Sequence, residues 1–219
     1  MPTERQSKQV EVRLREYRRK YLQKKFHGLD ESATRLMVNH FLTQVLGYNE
    51  LDDIKTEYEI KGAYADYVIQ LKRKKWFVVE VKAISVDLNE KHLRQSQSYA
   101  ANEGIDWAIL MNGRQIELYR IIFSKPVQAI KVFGFDLSDL TQIDDSAKDL
   151  VFLTKGSILK SEIEQYWKRH TALSAGSLAK SLNSVEIAKV IRRHLKKTSG
   201  INFSIEDILA ALKKALSEN

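Results

Sequence analysis

The chain has 219 residues, 43% of them hydrophobic, enough for one domain with an elaboration or a domain and a half. A formal charge of +8 points to an anionic partner, with nucleic acid first and an acidic membrane surface second. The absence of cysteine excludes disulfides, thiolate zinc sites and cysteine nucleophiles, and no apolar run approaches the ~18 residues that a membrane span needs.

The opening Met1-Pro2-Thr3-Glu4-Arg5-Gln6 lacks the apolar stretch of a leader, so a cytoplasmic location is expected, with no membrane partner. Residues from about Gln6 to Phe26 read as a helix, with Val10, Leu14, Tyr17 and Tyr21 on one face. Its other face carries Arg13, Arg15, Arg18, Arg19, Lys20, Lys24 and Lys25, which suits either a solvated surface or an arm facing phosphates. Asp30 is a good N-cap for a helix from Glu31 to Leu46, closed by Gly47. Leu36, Met37, His40, Phe41 and Val45 form its expected core stripe.

A first strand is expected over Lys55–Ile60, with a turn at Gly62. Ala65–Leu71 and Trp76–Ala83 have the β-branched and aromatic content of two further strands, joined by the basic Lys72-Arg73-Lys74-Lys75. Asp87 or Asn89 opens a helix to about Asn102, on which Leu88, His92, Gln95 and Tyr99 recur at one-turn spacing. Strands follow at Asp106–Met111, at Gln115–Ile121 after an Asn112-Gly113 type I′ signal, and at Val127–Phe133. From Asp144 the pattern is helical: Ala147–Leu153, Glu162–Leu173, Ser184–Lys197 and Ile205–Leu216, with breaks at Gly156 and Ser174–Ser177. Ser161 with Glu164, and Ser204 with Asp207, have the capping-box form. Lys189, Arg192, Arg193, Lys196 and Lys197 make a second basic helix face. This order predicts an α/β or α+β fold, a mixed sheet covered by helices.

The hairpin carries the chemistry. If its turn centres near Arg73, Asp66 lies opposite Glu80, and Glu80 and Lys82 share a strand face because side chains alternate with period two. Glu80 interrupts a run of valines, and an ionised group among buried neighbours is costly unless it is paired or binds a metal. Two carboxylates favour magnesium through oxygen, and an adjacent amine can stabilise charge on a phosphorus oxygen. A simple carboxylate–lysine bridge on the sheet is the competing account. The five histidines lack metal-ligand spacing, and Trp76, Trp107 and Trp167 read as core or hinge aromatics.

Ala65-Asp66-Tyr67, then Glu80-Val81-Lys82, then Gln95-x-x-x-Tyr99 resembles the PD-(D/E)xK nuclease superfamily. More narrowly, it is similar to the N-terminal nuclease domain of type I restriction enzyme R subunits, over roughly Asp30 to Phe133. The resemblance implies a restriction-endonuclease-like core, placed at 29–140; the residue pattern outside it reads as a basic helix packed on the core (1–28) and a helical extension (141–219). The resemblance further implies Mg²⁺- or Mn²⁺-dependent cleavage of DNA, with Asp66 and Glu80 as metal ligands and Lys82 as charge stabiliser. Glu31 would be an accessory metal or water ligand, and Gln95 and Tyr99 would shape the site or touch the DNA backbone. No proline precedes Asp66, and the sequence contains no Gly-x-x-x-x-Gly-Lys-Ser/Thr loop, so neither a nucleotide cofactor nor a helicase motor is expected. A binding module that does not cut is the alternative, and the residues do not separate DNA from RNA. One metal site cleaves one strand, so double-strand cutting would call for a homodimer or a second encounter.

Overall fold

A computed structural model describes residues 1–60 and 63–217; the turn expected at Gly62 lies outside them. Six strands form one sheet in sequence order: β1 (Ile54–Ile60), β2 (Ala63–Leu71), β3 (Lys74–Val81), β4 (Trp107–Met111), β5 (Gln115–Ile122) and β6 (Gln128–Asp136). Neighbours are antiparallel except β3 and β4, which run parallel and are linked by α3 (Arg94–Glu103). The expected mixed sheet flanked by helices is therefore the observed architecture.

Chain chemistry explains the elements. Before the sheet come α1 (Glu4–Tyr21) and α2 (Glu31–His40), each started by a polar N-cap: Thr3 in a capping box with Gln6, and Asp30 accepting from the Ala33 amide. α1 ends at Tyr21, five residues earlier than its periodicity suggested, and a 3₁₀ turn covers Lys24–Phe26. α2 passes into a π-turn over Phe41–Val45, and Gly47 closes it with φ of 81°. Leu36, expected in the core stripe, is 72% exposed; Thr34 takes the inward position, accepting the Ile84 amide and donating to the Asp30 carbonyl.

α3 covers one face of the sheet, where Leu93, Tyr99 and Ala100 pack on Val68, Val78, Ala108, Leu110, Tyr119 and Ile121. Period two sends Phe77, Val79 and Val81 to the other face, also fully buried, and α2 packs on β3. A strand covered on both faces reads as a continuous apolar run, which is why Glu80 stood out there. The β4–β5 connection differs from the expected type I′ turn. Gly113 has φ of 80° while Arg114 is not left-handed, the sign pattern of a type II′ turn with Gly113 and Arg114 central. Asn112 is instead drawn inward, donating to the Val86 carbonyl at 2.7 Å and accepting the Arg114 amide at 3.0 Å.

After the sheet come α4 (Ile143–Leu150), α5 (Lys155–Leu159), α6 (Glu162–Ala172), α7 (Ala175–Leu182), α8 (Val185–Ser199) and α9 (Ile205–Ser217). The segment Ser174–Ser177, read as a break, is the start of α7, because the Ser174 hydroxyl accepts the Ser177 amide as an N-cap. Ser204 and Asp207 form the expected reciprocal cap, whereas Ser161 adopts φ of 56°, outside the extended backbone of an N-cap. Two compact units result, Met1–Gln165 and Tyr166–Asn219. No helix among the described residues is long and apolar enough to cross a membrane.

Candidate active site

The geometry of the hairpin decides which side chains meet. Its loop is tighter than the basic tetrad suggested: only Lys72 and Arg73 lie between Leu71 and Lys74, with φ of 47° and 68°, the signs of a type I′ turn. That loop alone would set Asp66 level with Val79, on the wrong face. A β-bulge corrects it. Pairing runs Gln70 with Lys75 and then Ile69 with Phe77, leaving Trp76 as the extra residue. Beyond the bulge Tyr67 pairs with Val79, so one further step along the same register brings Asp66 level with Glu80.

β3 is fixed on its other side by the parallel ladder to β4, which continues through the Lys82 amide bonded to the Met111 carbonyl at 3.0 Å. Glu80 is 3% exposed. Lys82 Nζ donates to Glu80 Oε1 at 2.6 Å and stands 3.8 Å from Glu31 Oε2, while Ser96 Oγ donates to Glu80 Oε2 at 3.4 Å. Asp66 accepts the Val81 amide at 2.7 Å and is paired with the Arg35 guanidinium. Arg35 also reaches Glu31 at 3.4 Å and Glu57 at 3.8 Å.

The electrostatics follow from burial set against pairing. Burial raises the Glu80 pKa, and the bond and charge of Lys82 offset this only in part. For Lys82 burial alone would lower the pKa, but the hydrogen bond and charge of Glu80, backed by Glu31 and Asp66, prevail and raise it. The amine is thus held protonated beside an acid cluster.

Glu31, Arg35, Glu57, Ala65, Asp66, Glu80, Lys82 and Gln95 line one open cleft of about 340 Å³. At its mouth the β1–β2 ladder skips one level, between Thr56–Tyr67 and Tyr58–Ala65. The residue there is Glu57, whose φ of 45° is uncommon for a side chain bearing a Cβ. Of the six residues expected at the site, Asp66, Glu80, Lys82, Glu31 and Gln95 reach this cleft. Tyr99 does not line it: it is buried in the core beneath α3, and Gln95, one turn earlier, donates to its hydroxyl. Arg35, Glu57 and Ser96 were not foreseen. Only Arg35 left a signal, its i+4 spacing from Glu31 on one helix face.

The donor set is oxygen-rich, which suits a hard divalent cation, and the buried Glu80 demands positive charge. In this arrangement the carboxylates turn to Arg35 and Lys82. Among the described residues no three His, Cys, Asp or Glu side chains stand together as a metal cage.

The mixed sheet presents a carboxylate–lysine pair across its hairpin, the arrangement that the resemblance to restriction-type nuclease domains implied. The family model described as type I restriction enzyme R protein N terminus matches residues 30–131, just under half of the chain and the segment that carries the motifs. The resemblance drawn from the hairpin and Gln95–Tyr99 is thereby shown for that segment. No curated protein and no solved structure matched the chain in the other comparisons.

Proposed function

We propose that residues 30–131 are the catalytic part of a divalent-metal-dependent endodeoxyribonuclease that hydrolyses phosphodiester bonds. One observation carries the reading: Asp66, Glu80, Glu31 and Lys82 open onto a single cleft, with the lysine bonded to the buried carboxylate. In this reading Asp66 and Glu80 hold Mg²⁺ or Mn²⁺ by their oxygens, with Glu31 as an accessory ligand. The ion, when bound, stabilises charge on a phosphate oxygen and lowers the pKa of a coordinated water.

Lys82, kept protonated by its acidic neighbours, places a positive charge where the transition state gains negative charge. Gln95 faces the substrate side, and Tyr99 positions Gln95 from the core. Arg35 leaves Asp66 for the incoming phosphate, because a guanidinium binds phosphate oxygens as well as carboxylates. A homodimer would let two such sites act on both strands.

The pairing of Arg35 with Asp66 favours a second reading, a nuclease-like domain that binds nucleic acid without cutting it. Nicking of a supercoiled plasmid with magnesium or manganese separates the two. Wild-type nicking that falls by about 10²–10³-fold in Lys82→Ala is the expected result. Equal cleavage by both proteins would remove the site from the cleft. No cleavage by either, with salt-sensitive retention of DNA, would select the binding domain.

A further inference from the structure

The second compact unit separates its charge from its core. Residues 166–219 hold ten Lys and Arg against four Asp and Glu, a net of +6 out of the chain's +8, although they are about a quarter of its length. Residues 1–165, with 26 against 24, are close to neutral.

Within this unit the cations concentrate on α8. At 100° per residue, Lys189, Arg192, Arg193, Lys196 and Lys197 fall on one side of the helix, and all five are exposed. Ile187, Ala188, Ile191 and Leu195 fall on the opposite side, buried or half-buried, and α8 packs on α9. None of the five cationic side chains makes an ion pair among the described residues. Lys196 and Lys197 complement the helix dipole in the last turn, but Lys189, Arg192 and Arg193 have no such role. Cations three and four residues apart repel and destabilise a helix that nothing neutralises. The row runs from Lys189 to Lys197, nine residues and so eight steps, about 12 Å at the rise of an α-helix. That length fits the phosphates bordering a DNA major groove of about 12 Å. A membrane-binding helix would turn its apolar side outward, and here the Ile187–Leu195 side faces into the unit.

We propose that residues 166–219 form a DNA-binding module that grips the phosphate backbone of duplex DNA through the exposed face of α8, independently of the cleft. The choice of DNA rests on reading the cleft as that of a deoxyribonuclease; the existence of the polyanion site does not. The contact is electrostatic, so it predicts tight binding without sequence preference and with strong salt dependence.

The test uses the full chain, a fluorescent duplex and no divalent metal, reading affinity by anisotropy across salt concentrations. Substituting Lys189, Arg192, Arg193, Lys196 and Lys197 together by glutamine should lower the log–log salt slope by about 3 to 4.5, at about 0.9 per phosphate that the wild type neutralises. Affinity at moderate salt should fall by at least about tenfold, while Lys189→Arg, Lys196→Arg and Lys197→Arg together keep the wild-type slope. Circular dichroism of the glutamine variant checks that α8 still forms. A well-folded glutamine variant with unchanged slope and affinity overturns the proposal. Preference of the wild type for single-stranded RNA or anionic vesicles over the duplex overturns the assignment to DNA. A wild type that binds the duplex but does not nick plasmid when magnesium or manganese is supplied refutes the nuclease and leaves the module standing.

Discussion

α1 and α8 look alike in the sequence, each a helix with one apolar and one basic side, yet the structure uses their cations differently. On α1, Arg13 donates to the Val45 carbonyl, Arg15 bridges Glu11 and Asp144, and Arg18 donates to the Ser138 carbonyl at 2.7 Å. Lys20 lies over the Tyr21 ring. The three arginines fasten the helix to the rest of unit 1, while Lys20 is held within the helix. The basic row of α8 meets no acceptor among the described residues of its own unit. A run of basic residues is therefore informative only once the carbonyls and carboxylates within its reach are known. The same contrast extends to the cleft, where Arg35 and Lys82 are held by Asp66, Glu80 and Glu31.

If that contrast is physical, removing partners in unit 1 should cost stability, and removing cations on α8 should not. The largest effect is expected from Asp66→Ala. It strips the Val81 amide of its acceptor and leaves Arg35 without its shortest partner. Urea denaturation should show a loss of about 1–3 kcal/mol, less than for a fully enclosed pair because Arg35 is one-third exposed. The glutamine variant of α8 should change stability by less than about 0.5 kcal/mol per site. A larger loss there would mean that its cations brace the fold after all.

Arg18→Ala should come next, at about 1 kcal/mol, for the carbonyl bond lost to the Ser138 loop. Lysine at the same position restores the charge but not the planar fork, so Arg18→Lys should recover only part of the loss. Full recovery by lysine would return α1 to the class of merely basic surfaces. Equilibrium unfolding of the three proteins in one buffer makes the comparison.

The carboxylate–lysine pairing was legible because side-chain period two and hairpin symmetry need few facts. It came out right through two deviations that cancel. The loop is one step tighter than a turn centred on Arg73, and the bulge at Trp76 restores the register that this centre implied. No residue pattern announced that bulge, since a tryptophan in a strand is ordinary. The reach of Arg35 across to Asp66 was not legible, because it depends on how α2 lies against β2 and β3, a tertiary fact. Tyr99 was legible as part of a motif, with a buried hydroxyl on a helix packed on the sheet as the competing account; packing shows the burial and adds that this hydroxyl accepts from Gln95. α7 was missed for a local reason. Its Ser- and Gly-containing start reads as a break between helices until the Ser174 hydroxyl is seen capping the helix.

The smallest effect concerns pH and the seat of α1. The His40 ring contacts Tyr21 edge-on at 4.9 Å and stacks near Tyr17 at 6.5 Å. Burial lowers its pKa, and the charge of Lys20 lowers it further, so the fold favours the neutral imidazole. A depressed folded pKa means that the unfolded chain takes up the proton first. The stability due to His40 is thus intact above its ordinary value of 6.5 and is lost as pH falls through the lower folded value. Urea midpoints measured from pH 7.5 downward should fall more steeply in the wild type than in His40→Gln, which has no proton to gain. Lys20→Gln should make the wild-type decline shallower by removing the second cause. Parallel declines in all three proteins would show that the α1 seat does not sense protonation of His40.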